Sequence, residues 1–316
     1  MFVSTLGLDK KELEELQKEF PSYEIIQTSD LLSLQQEQLL TVEGIFTYGS
    51  DIKENTLQKM PNLKWIHVGQ SGVDGMEQNS VRKRKIYVTN SRGINSITIA
   101  EYVLSMMLNI IRNNYVFYCS QQKCEWNMET HLDELYEKTV GIFGLGKAGQ
   151  EVSKRCKAFG MKVVGVDIFQ TDLTFVDEFY YPDQMEKLLS QSDFVVINMP
   201  LTDKTRGIIN SETLAMMKPN AVLINCGRGE IIVNEDLMQA LDNKTIAGGV
   251  LDVFNSEPLP PESPFWRMQN VIVTPHIAGD RQASYIPRMM AIMKKNISVY
   301  PDFSKMENAV NMENGF

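Results

Sequence analysis

The stretch TVGIFGLGKAG (residues 139–149) decides the fold, because β-favouring apolar residues lead there into a glycine-rich turn. Gly144, Gly146 and Gly149 have the spacing G-x-G-x-x-G, and the residues that follow predict a helix over 147–159. In such a unit the first glycine permits a tight turn, the second lets backbone N–H groups approach a pyrophosphate, and the third lets the helix pack closely on the strand. The stretch therefore predicts a strand, a phosphate-binding turn and a helix whose N-terminus favours an anion.

The segments that follow this unit predict a doubly wound parallel sheet. Continuous apolar runs such as VVGV and FVVI are typical of strands buried on both faces. The predicted strands are Thr139–Phe143, Lys162–Asp167, Phe194–Asn198, Ala221–Asn225, Ile246–Leu251 and Val271–Thr274. The helices predicted between them include Lys147–Phe159, Asp183–Ser190 and Asn234–Leu241. Six strands joined by crossover helices form a Rossmann-type sheet.

The first hundred residues alternate helical and strand patterns and predict a second, smaller α/β unit. Its predicted elements are a helix over Lys10–Phe20 and strands over Tyr23–Gln27, Gly44–Thr47, Leu63–Val68 and Ile86–Thr89. Residues 96–120 predict one long helix, apolar on most faces, which we expect between domains or at a subunit contact. Residues 284–299 predict a helix that returns to the first domain. We therefore expect one domain made of residues 1–97 and 285–316, and a dinucleotide-binding domain made of residues 98–284.

Composition excludes several classes of protein. Of 316 residues, 43% are apolar and 22% are charged, which is an ordinary globular balance and not that of a disordered chain. The net charge of −9 leaves no basic footprint for nucleic acid or for an anionic membrane. The one basic cluster, at residues 82–85, is interpreted as a solvated strand entrance.

Cysteine usage and hydropathy predict the compartment. The four cysteines form no CxxC or Cys/His metal spacing, so we expect free thiols in a reducing cytoplasm and no metal site. The N-terminus shows no basic region followed by an apolar run, and the longest uncharged apolar stretch near a helix, residues 102–111, is shorter than the roughly 20 residues that a membrane span needs. We therefore expect a protein without a membrane segment.

An acidic residue ends the strand that follows the glycine-rich unit. Asp167 comes directly after KVVGV, 21 residues beyond Gly146. A carboxylate there can accept hydrogen bonds from both hydroxyls of the adenine ribose and repels a 2′-phosphate, which favours NAD as the cofactor and leaves NADP less favoured. The competing interpretation is a glycine-rich strand–helix turn in an unrelated α/β protein.

Three residues with acid–base or anion-binding chemistry follow successive predicted strands. Arg228 follows AVLIN, Glu257 follows IAGGVLDV, and His276 follows VIVT and a proline. Of the other two histidines, His67 lies inside a strand and is expected to be structural, and His131 lies in a polar segment and is expected to be exposed. Alone, each of the three would more often be a surface arginine, a helix-edge glutamate or a capping histidine. Together they are placed at the sheet edge where ligands of open α/β sheets bind.

These residue types suit the reduction of a 2-keto acid. Arg228 can bind the substrate carboxylate and polarise the carbonyl oxygen, since guanidinium matches a carboxylate better than ammonium does. His276 can deliver a proton to that oxygen and act as the base in the reverse direction. Glu257 beside it would stabilise the imidazolium.

Several long motifs, in order, resemble the D-isomer-specific 2-hydroxyacid dehydrogenases over nearly the whole chain. They are GLGKAGQEV with VVGVD, NMPLT, MKPNAVLINCGRGEIIVNEDL, GGVLDVFNSEPLP and VIVTPHIAG, together with HVGQSGVD and AEYVL in the N-terminal part. The resemblance implies an α/β protein of two domains, a Rossmann-type doubly wound sheet and a smaller flavodoxin-like substrate domain. It also implies that Arg228, Glu257 and His276 are the catalytic set.

The resemblance further implies how ligands are bound. The implied cofactor-binding residues are Gly144, Gly146, Lys147, Ala148, Gly149, Asp167, Pro200, Cys226 and Asp252. Asp252 and the Cys226 backbone would hold the nicotinamide carboxamide, and Pro200 would border the adenine or ribose. The turn made of Val68, Gly69, Gln70, Ser71 and Gly72 would present backbone N–H groups to the substrate carboxylate, which Arg228 also meets. A homodimer through the coenzyme domain is implied, with residues 96–120 and the segment after them as contacts.

The resemblance is strongest to short glyoxylate/hydroxypyruvate reductase-like members, without the regulatory domain of longer phosphoglycerate dehydrogenases. Residues 66–75 offer no lysine or arginine to a phosphate, so a small unphosphorylated substrate is expected. Arg281 could add a cation at the substrate mouth or lie on the surface. The expected function is hydride transfer between NAD(H) and a small D-2-hydroxy acid/2-keto acid pair. The alternative is a non-catalytic dinucleotide-sensing protein on the same fold.

Overall fold

The structure is a computed structural model, and it describes residues 1–73, 75–170, 172–279 and 283–312. The chain divides into two compact units. Unit 1 contains Met1–Ile94 and Ala283–Phe316, and unit 2 contains Asn95–Gln282. The boundaries expected from the sequence, after residues 97 and 284, fall within three residues of these.

Unit 1 is built on a parallel sheet of five strands in the order β2-β1-β3-β4-β5, the flavodoxin-like order. The strands are β1 (Phe2–Ser4), β2 (Ile25–Gln27), β3 (Gly44–Thr47), β4 (Trp65–Val68) and β5 (Tyr87–Asn90). Four of its helices are α1 (Lys10–Glu19), α2 (Gln36–Thr41), α3 (Glu54–Gln58) and α4 (Gln78–Lys83). The first helix starts at a capping box in which Asp9 and Glu12 satisfy each other's backbone N–H groups.

Strand β1 lies inside the sheet, between β2 and β3, and it was not among the four strands predicted for this unit. Phe2 and Val3 on this strand are fully buried, and the strand pairs with β2 on one side and β3 on the other. The apolar part of this strand is only these two residues, which is too short to show a strand period. The aromatic rings of Phe2, Phe46 and Trp65 pack edge to face beneath the sheet.

Unit 2 is built on a parallel sheet of seven strands in the order β12-β11-β10-β9-β6-β7-β8. The strands are β6 (Thr139–Phe143), β7 (Lys162–Val166), β8 (Glu178–Tyr180), β9 (Phe194–Ile197), β10 (Val222–Asn225), β11 (Gly248–Leu251) and β12 (Val271–Val273). The helices are α5 (Ser96–Ile111), α6 (Asn114–Gln122), α7 (Lys147–Ala158), α8 (Met185–Gln191), α9 (Ser211–Ala215) and α10 (Asn234–Asp242). Numbered from β6, this is the Rossmann order with one further strand beyond β11, so the predicted fold class is confirmed.

Two expectations for unit 2 were wrong in detail. The sheet has a seventh strand, β8, at its edge, whereas six were predicted; its three residues are half-buried and show no alternation. The predicted single helix over residues 96–120 is two helices, because Asn113 adopts a left-handed backbone with φ of 50°. Asparagine tolerates that conformation, and the Asn113 side chain donates a hydrogen bond to the His131 carbonyl at 2.6 Å.

The last helix, α11 (Tyr285–Val299), completes unit 1. Its buried side chains, which include Met289 and Met293, pack against the cluster of Phe2, Phe46 and Trp65. Within the described residues, none of the helices is both long and apolar enough to cross a membrane.

Candidate active site

The glycine-rich turn after β6 is shaped to accept an anion. Gly144 has a φ of +92°, and a Cβ there would lie 2.8 Å from the Met199 backbone nitrogen. A Cβ at Gly149 would lie 2.0 Å from the Gly144 carbonyl oxygen, so only glycine allows helix α7 this close to the turn. In contrast, a Cβ at Gly146 would meet nothing within 4 Å, which leaves open space in front of the first turn of α7. These residues therefore fit a dinucleotide pyrophosphate at the helix N-terminus, beside Lys147.

Asp167 lies at the end of β7, as the sequence predicts, and its carboxylate is already oriented. It accepts hydrogen bonds from the backbone N–H groups of Leu145 at 2.6 Å, Ile168 at 2.7 Å and Phe169 at 3.3 Å. The bond from Leu145 ties the carboxylate directly to the glycine-rich turn. A carboxylate fixed here fits a ribose diol.

The structure brings Arg228, Glu257 and His276 to one edge of the sheet. They follow β10, β11 and β12, three neighbouring parallel strands, and the glycine-rich turn follows β6 at the same edge. The Glu257 carboxylate lies 2.7 Å from Nδ1 of His276, and its other oxygen accepts the Phe254 N–H at 2.9 Å. The imidazole is half-exposed, and no described residue is a partner of its Nε2 atom. His276 thus has one ring nitrogen fixed by a carboxylate and the other available to a ligand.

The turn that carries Arg228 is held by a buried asparagine. The Asn225 side chain accepts the Gly227 N–H and donates to the Arg228 carbonyl, each at 3.0 Å. A Cβ at Gly229 would lie 2.0 Å from the Phe254 carbonyl carbon, so this turn packs directly on the backbone that leads to Glu257. The Arg228 guanidinium donates to the Gly227 carbonyl at 2.9 Å. From the sequence Asn225 was predicted only as the last residue of a strand; its position directly before the Arg228 turn, in the run LINCGR, was the signal for this supporting role.

Both carboxylate oxygens of Asp252 accept hydrogen bonds from other groups of the protein. It is 1% exposed, one of its oxygens accepts from the Thr274 hydroxyl at 2.6 Å and the Ile277 N–H at 2.9 Å, and the other accepts from the Ala278 N–H at 2.9 Å. Cys226, the other expected partner of the carboxamide, donates its N–H to the Ile197 carbonyl at 3.1 Å, and no described residue donates to the Cys226 carbonyl. Burial raises the pKa of the Cys226 thiol well above its ordinary value, which keeps the thiol protonated.

The turn after β4, residues 68–72, is held by its carbonyl groups. The Ser91 N–H donates to the carbonyls of Val68 at 3.0 Å and Gln70 at 3.1 Å. The Tyr285 hydroxyl donates to the Gly69 carbonyl at 2.9 Å, and the Asn90 side chain donates to the Ser71 carbonyl at 2.7 Å.

The N–H groups of this turn are left for a ligand. Those of Gln70, Ser71 and Gly72 have no acceptor among the residues that the structure describes, and these residues reach the surface. Successive unpaired backbone N–H groups form an anion-binding concavity.

The remaining predicted residues have different surroundings. His67 is fully buried, and burial lowers its pKa to about 3, so it stays neutral. His131 is exposed, and so is Pro200 after β9. The basic cluster at residues 82–85 was expected to be solvated, and for Arg84 this was wrong. Its side chain is half-buried and donates to the carbonyls of residues 57 and 60 at the end of α3. Arg281 lies outside the described residues.

Comparison with known proteins shows which protein family this chain resembles. The model of the NAD-binding domain of D-isomer specific 2-hydroxyacid dehydrogenases matches residues 104–278. The chain is 34% identical to the D-3-phosphoglycerate dehydrogenase of Methanocaldococcus jannaschii over 84% of its own length and 51% of that protein. It is 32% identical to the glyoxylate reductase of Korarchaeum cryptofilum, over 83% of this chain and 80% of that one.

A solved structure agrees over the whole chain. The D-isomer specific 2-hydroxyacid dehydrogenase of Xanthobacter autotrophicus, in complex with NADPH and MES, is 28% identical with a TM-score of 0.87, covering 100% of this chain and 99% of that one. The fold and the glycine-rich turn define a dinucleotide-binding α/β protein. The chain belongs to the D-isomer-specific 2-hydroxyacid dehydrogenase family, and it spans about half the length of the phosphoglycerate dehydrogenase it matches.

Proposed function

We propose that the protein is an oxidoreductase that transfers a hydride between NAD(H) and a small D-2-hydroxy acid/2-keto acid pair. The pairing of His276 with Glu257 at 2.7 Å, at the sheet edge that also carries the glycine-rich turn, is the observation on which this rests. An imidazole–carboxylate pair alone serves many reactions. Its place at the same sheet edge as Arg228, in a family with a dinucleotide-binding domain, favours a redox reaction of a carboxylic acid.

Each of the three side chains has a separate role in the reduction of the keto group. The bound nicotinamide supplies the hydride that the carbonyl carbon receives. Arg228 binds the substrate carboxylate and polarises the carbonyl oxygen. His276 donates its Nε2 proton to that oxygen as the C=O bond becomes C–OH, and Glu257 stabilises the imidazolium through Nδ1–H. In the oxidation direction Nε2 takes the hydroxyl proton.

The substrate class follows from the turn after β4. We propose that the N–H groups of Gln70, Ser71 and Gly72 donate to the substrate carboxylate. Since residues 66–75 contain no lysine or arginine, this segment has no cationic side chain to pair with the additional charge of a phosphorylated substrate. This favours glyoxylate, hydroxypyruvate or a similarly small acid, in line with the name of the Korarchaeum relative.

Asp167 supports a preference for NAD over NADP. Its carboxylate is fixed at the end of β7 by the Leu145 N–H, and an adenine ribose bound there would bring a 2′-phosphate against like charge. The Xanthobacter relative holds NADPH, so the preference needs its own test. We expect NADH to bind at least about tenfold more tightly than NADPH, and Asp167→Ser to reduce that ratio, as measured by quenching of protein fluorescence.

The test of the function is the initial rate of NADH oxidation by the purified protein. Glyoxylate, hydroxypyruvate, pyruvate and bulkier branched 2-keto acids would be compared, with NADPH in parallel. Fast loss of the NADH absorbance with one small keto acid supports the proposal. Tight NADH binding without oxidation by any keto acid would contradict it and support the dinucleotide-sensing alternative.

We also propose a homodimer and a cytoplasmic location. Helix α6 and the segment after it expose large side chains, including Tyr115, Tyr118 and Met128, and Trp126 is 91% exposed. Such a patch is typical of a protein interface, and light scattering would show whether Trp126→Glu converts a dimer to a monomer. The four cysteines are free, which suits a reducing compartment.

A further inference from the structure

A hydrogen-bonded chain in unit 2 runs from helix α5 to the loop that carries His276. The hydroxyl of Tyr102 lies 2.6 Å from Oγ1 of Thr274, which in turn lies 2.6 Å from a carboxylate oxygen of Asp252. Neither Tyr102 nor Thr274 has a role in the function proposed above. The two residues are 172 positions apart in the chain.

The direction of these hydrogen bonds follows from the groups themselves. The Asp252 carboxylate can only accept, so the single hydroxyl proton of Thr274 is donated to it. The Thr274 oxygen must then accept from the Tyr102 hydroxyl. Burial raises the pKa of Tyr102 above its ordinary value, so the phenol keeps the proton that it donates. Both hydrogen bonds therefore point the same way, with each donor on the side of Tyr102 and each acceptor on the side of Asp252.

Asp252, at the far end, holds the backbone on the C-terminal side of His276. Its carboxylate accepts the N–H groups of Ile277 and Ala278, and its carbonyl accepts the N–H of His276 at 2.8 Å. His276 has a φ of +53°, a left-handed conformation that is costly for a residue other than glycine. Such a conformation persists only where the surroundings impose it, and here three N–H groups are bound by one residue.

We propose that Tyr102 is a positioning residue for His276. Through Thr274 it fixes the carboxylate of Asp252, and Asp252 fixes the backbone that aims the imidazole. The effect on catalysis rests on the proposed function, whereas the effect on the loop does not. A tyrosine that only filled space on α5 would need no hydroxyl partner, and its phenylalanine variant would leave the loop unchanged.

The first test removes single atoms and observes the loop directly. In Tyr102→Phe and in Thr274→Val we expect the amides of Ile277 and Ala278 to exchange with deuterium about tenfold faster than in the wild type. Amides of β9 should keep their rates, because the change is local. Tyr180→Phe is the matched control, since it removes a tyrosine hydroxyl hydrogen-bonded to a carboxylate, Glu178, elsewhere in unit 2.

The second test uses turnover. We expect Tyr102→Phe to lower kcat about three- to tenfold, with the Kd for NADH unchanged, and the Tyr102→Phe/Thr274→Val double variant to lose no more than the worse single variant. Wild-type exchange at residues 277 and 278 in Tyr102→Phe would overturn the proposal. So would faster exchange with unchanged kcat in an active enzyme. A wild-type protein without turnover would contradict the proposed function alone, and the exchange rates would still test the loop.

Discussion

The turn after β4 and the segment after β12 are both loops at the carboxyl ends of parallel strands, and the protein holds them by opposite backbone groups. In the turn, every carbonyl from Val68 to Ser71 accepts a hydrogen bond, and the N–H groups of residues 70–72 are left without a described acceptor. In the segment, the N–H groups of residues 276–278 are bound by Asp252. One loop is thereby prepared for an anion, and the other presents a side chain. The comparison predicts that damage to the segment reduces kcat and that damage to the turn raises KM.

The largest effect is expected from His276→Ala. Loss of the general acid should lower kcat about 10²- to 10⁴-fold, because the proton donor to the carbonyl oxygen is removed. The Kd for NADH, measured by fluorescence, should stay close to that of the wild type. A large loss of NADH affinity with little change in kcat would show that His276 serves cofactor binding.

The next effect tests how the segment is held. Asp252→Asn keeps the size of the side chain but replaces one of its two accepting oxygens with an NH₂ group. The Ile277 and Ala278 N–H groups are bound by different oxygens of Asp252, so the asparagine side chain can no longer accept both. We expect kcat to fall about tenfold to a hundredfold with the KM for the keto acid little changed. Thermal unfolding would verify that the variant folds. A raised KM at unchanged kcat would contradict the division between the two loops.

The histidines associated with the two loops also differ in their surroundings. His67, in β4 beneath the turn, is fully buried between two hydroxyl groups: Nδ1 is 2.8 Å from Thr89 and Nε2 is 3.1 Å from Ser91. The Thr89 oxygen also accepts the Trp65 indole N–H at 2.9 Å, so the imidazole and the indole meet at one buried hydroxyl. His67 is thus a neutral support of the residue that holds the turn, in contrast to the half-exposed His276.

This difference predicts a pH dependence of stability. The pKa of His67 is about 3 in the folded protein, against about 6.5 when unfolded, so the unfolded chain binds the extra proton between these values. The stability that His67 contributes is therefore complete above pH 6.5 and is lost as the pH falls, by about 1.4 kcal/mol per pH unit at most.

The measurement is urea unfolding at pH 7, 6, 5 and 4.5. His67→Gln should lose about 2 kcal/mol less than the wild type between pH 6.5 and 4.5, and the exposed His131→Gln should behave like the wild type. Equal slopes for the wild type and His67→Gln would show that the buried imidazole is not the cause.

How much could be predicted from the sequence depends on how local each feature is. The fold class and six of the seven strands of unit 2 followed from continuous apolar runs and glycine spacing, which are properties of adjacent residues. Strands β1 and β8 were not predicted: β1 has only two apolar residues, Phe2 and Val3, at the start of the chain, and the three residues of β8 are half-buried without alternation. Arg228, Glu257 and His276 could be placed at one sheet edge because parallel strands share their carboxyl edge.

The supports of the site could not be predicted in the same way. Tyr102 meets Thr274 across 172 positions, and Tyr285 meets Gly69 across 216, so neither pairing leaves a pattern in the sequence near its partner. The motif residues are visible because backbone geometry or reaction chemistry demands their type. A hydroxyl that fixes a distant loop is only one of several possible solutions, and the choice is made by the packing of the whole unit.

The smallest effect is expected from a change at the turn after β4. Tyr285→Phe removes one of the donors that hold the turn by its carbonyls, and the remaining bonds from Ser91 and Asn90 still fix most of it. We expect the KM for the keto acid to rise about two- to fivefold, with kcat and the Kd for NADH unchanged. Tyr23→Phe, which removes a tyrosine hydroxyl from another backbone carbonyl of unit 1, is the matched control and should leave KM unchanged. If Tyr285→Phe instead lowered kcat at constant KM, the turn would contribute to the chemical step, and the assignment of binding to one loop and proton transfer to the other would fail.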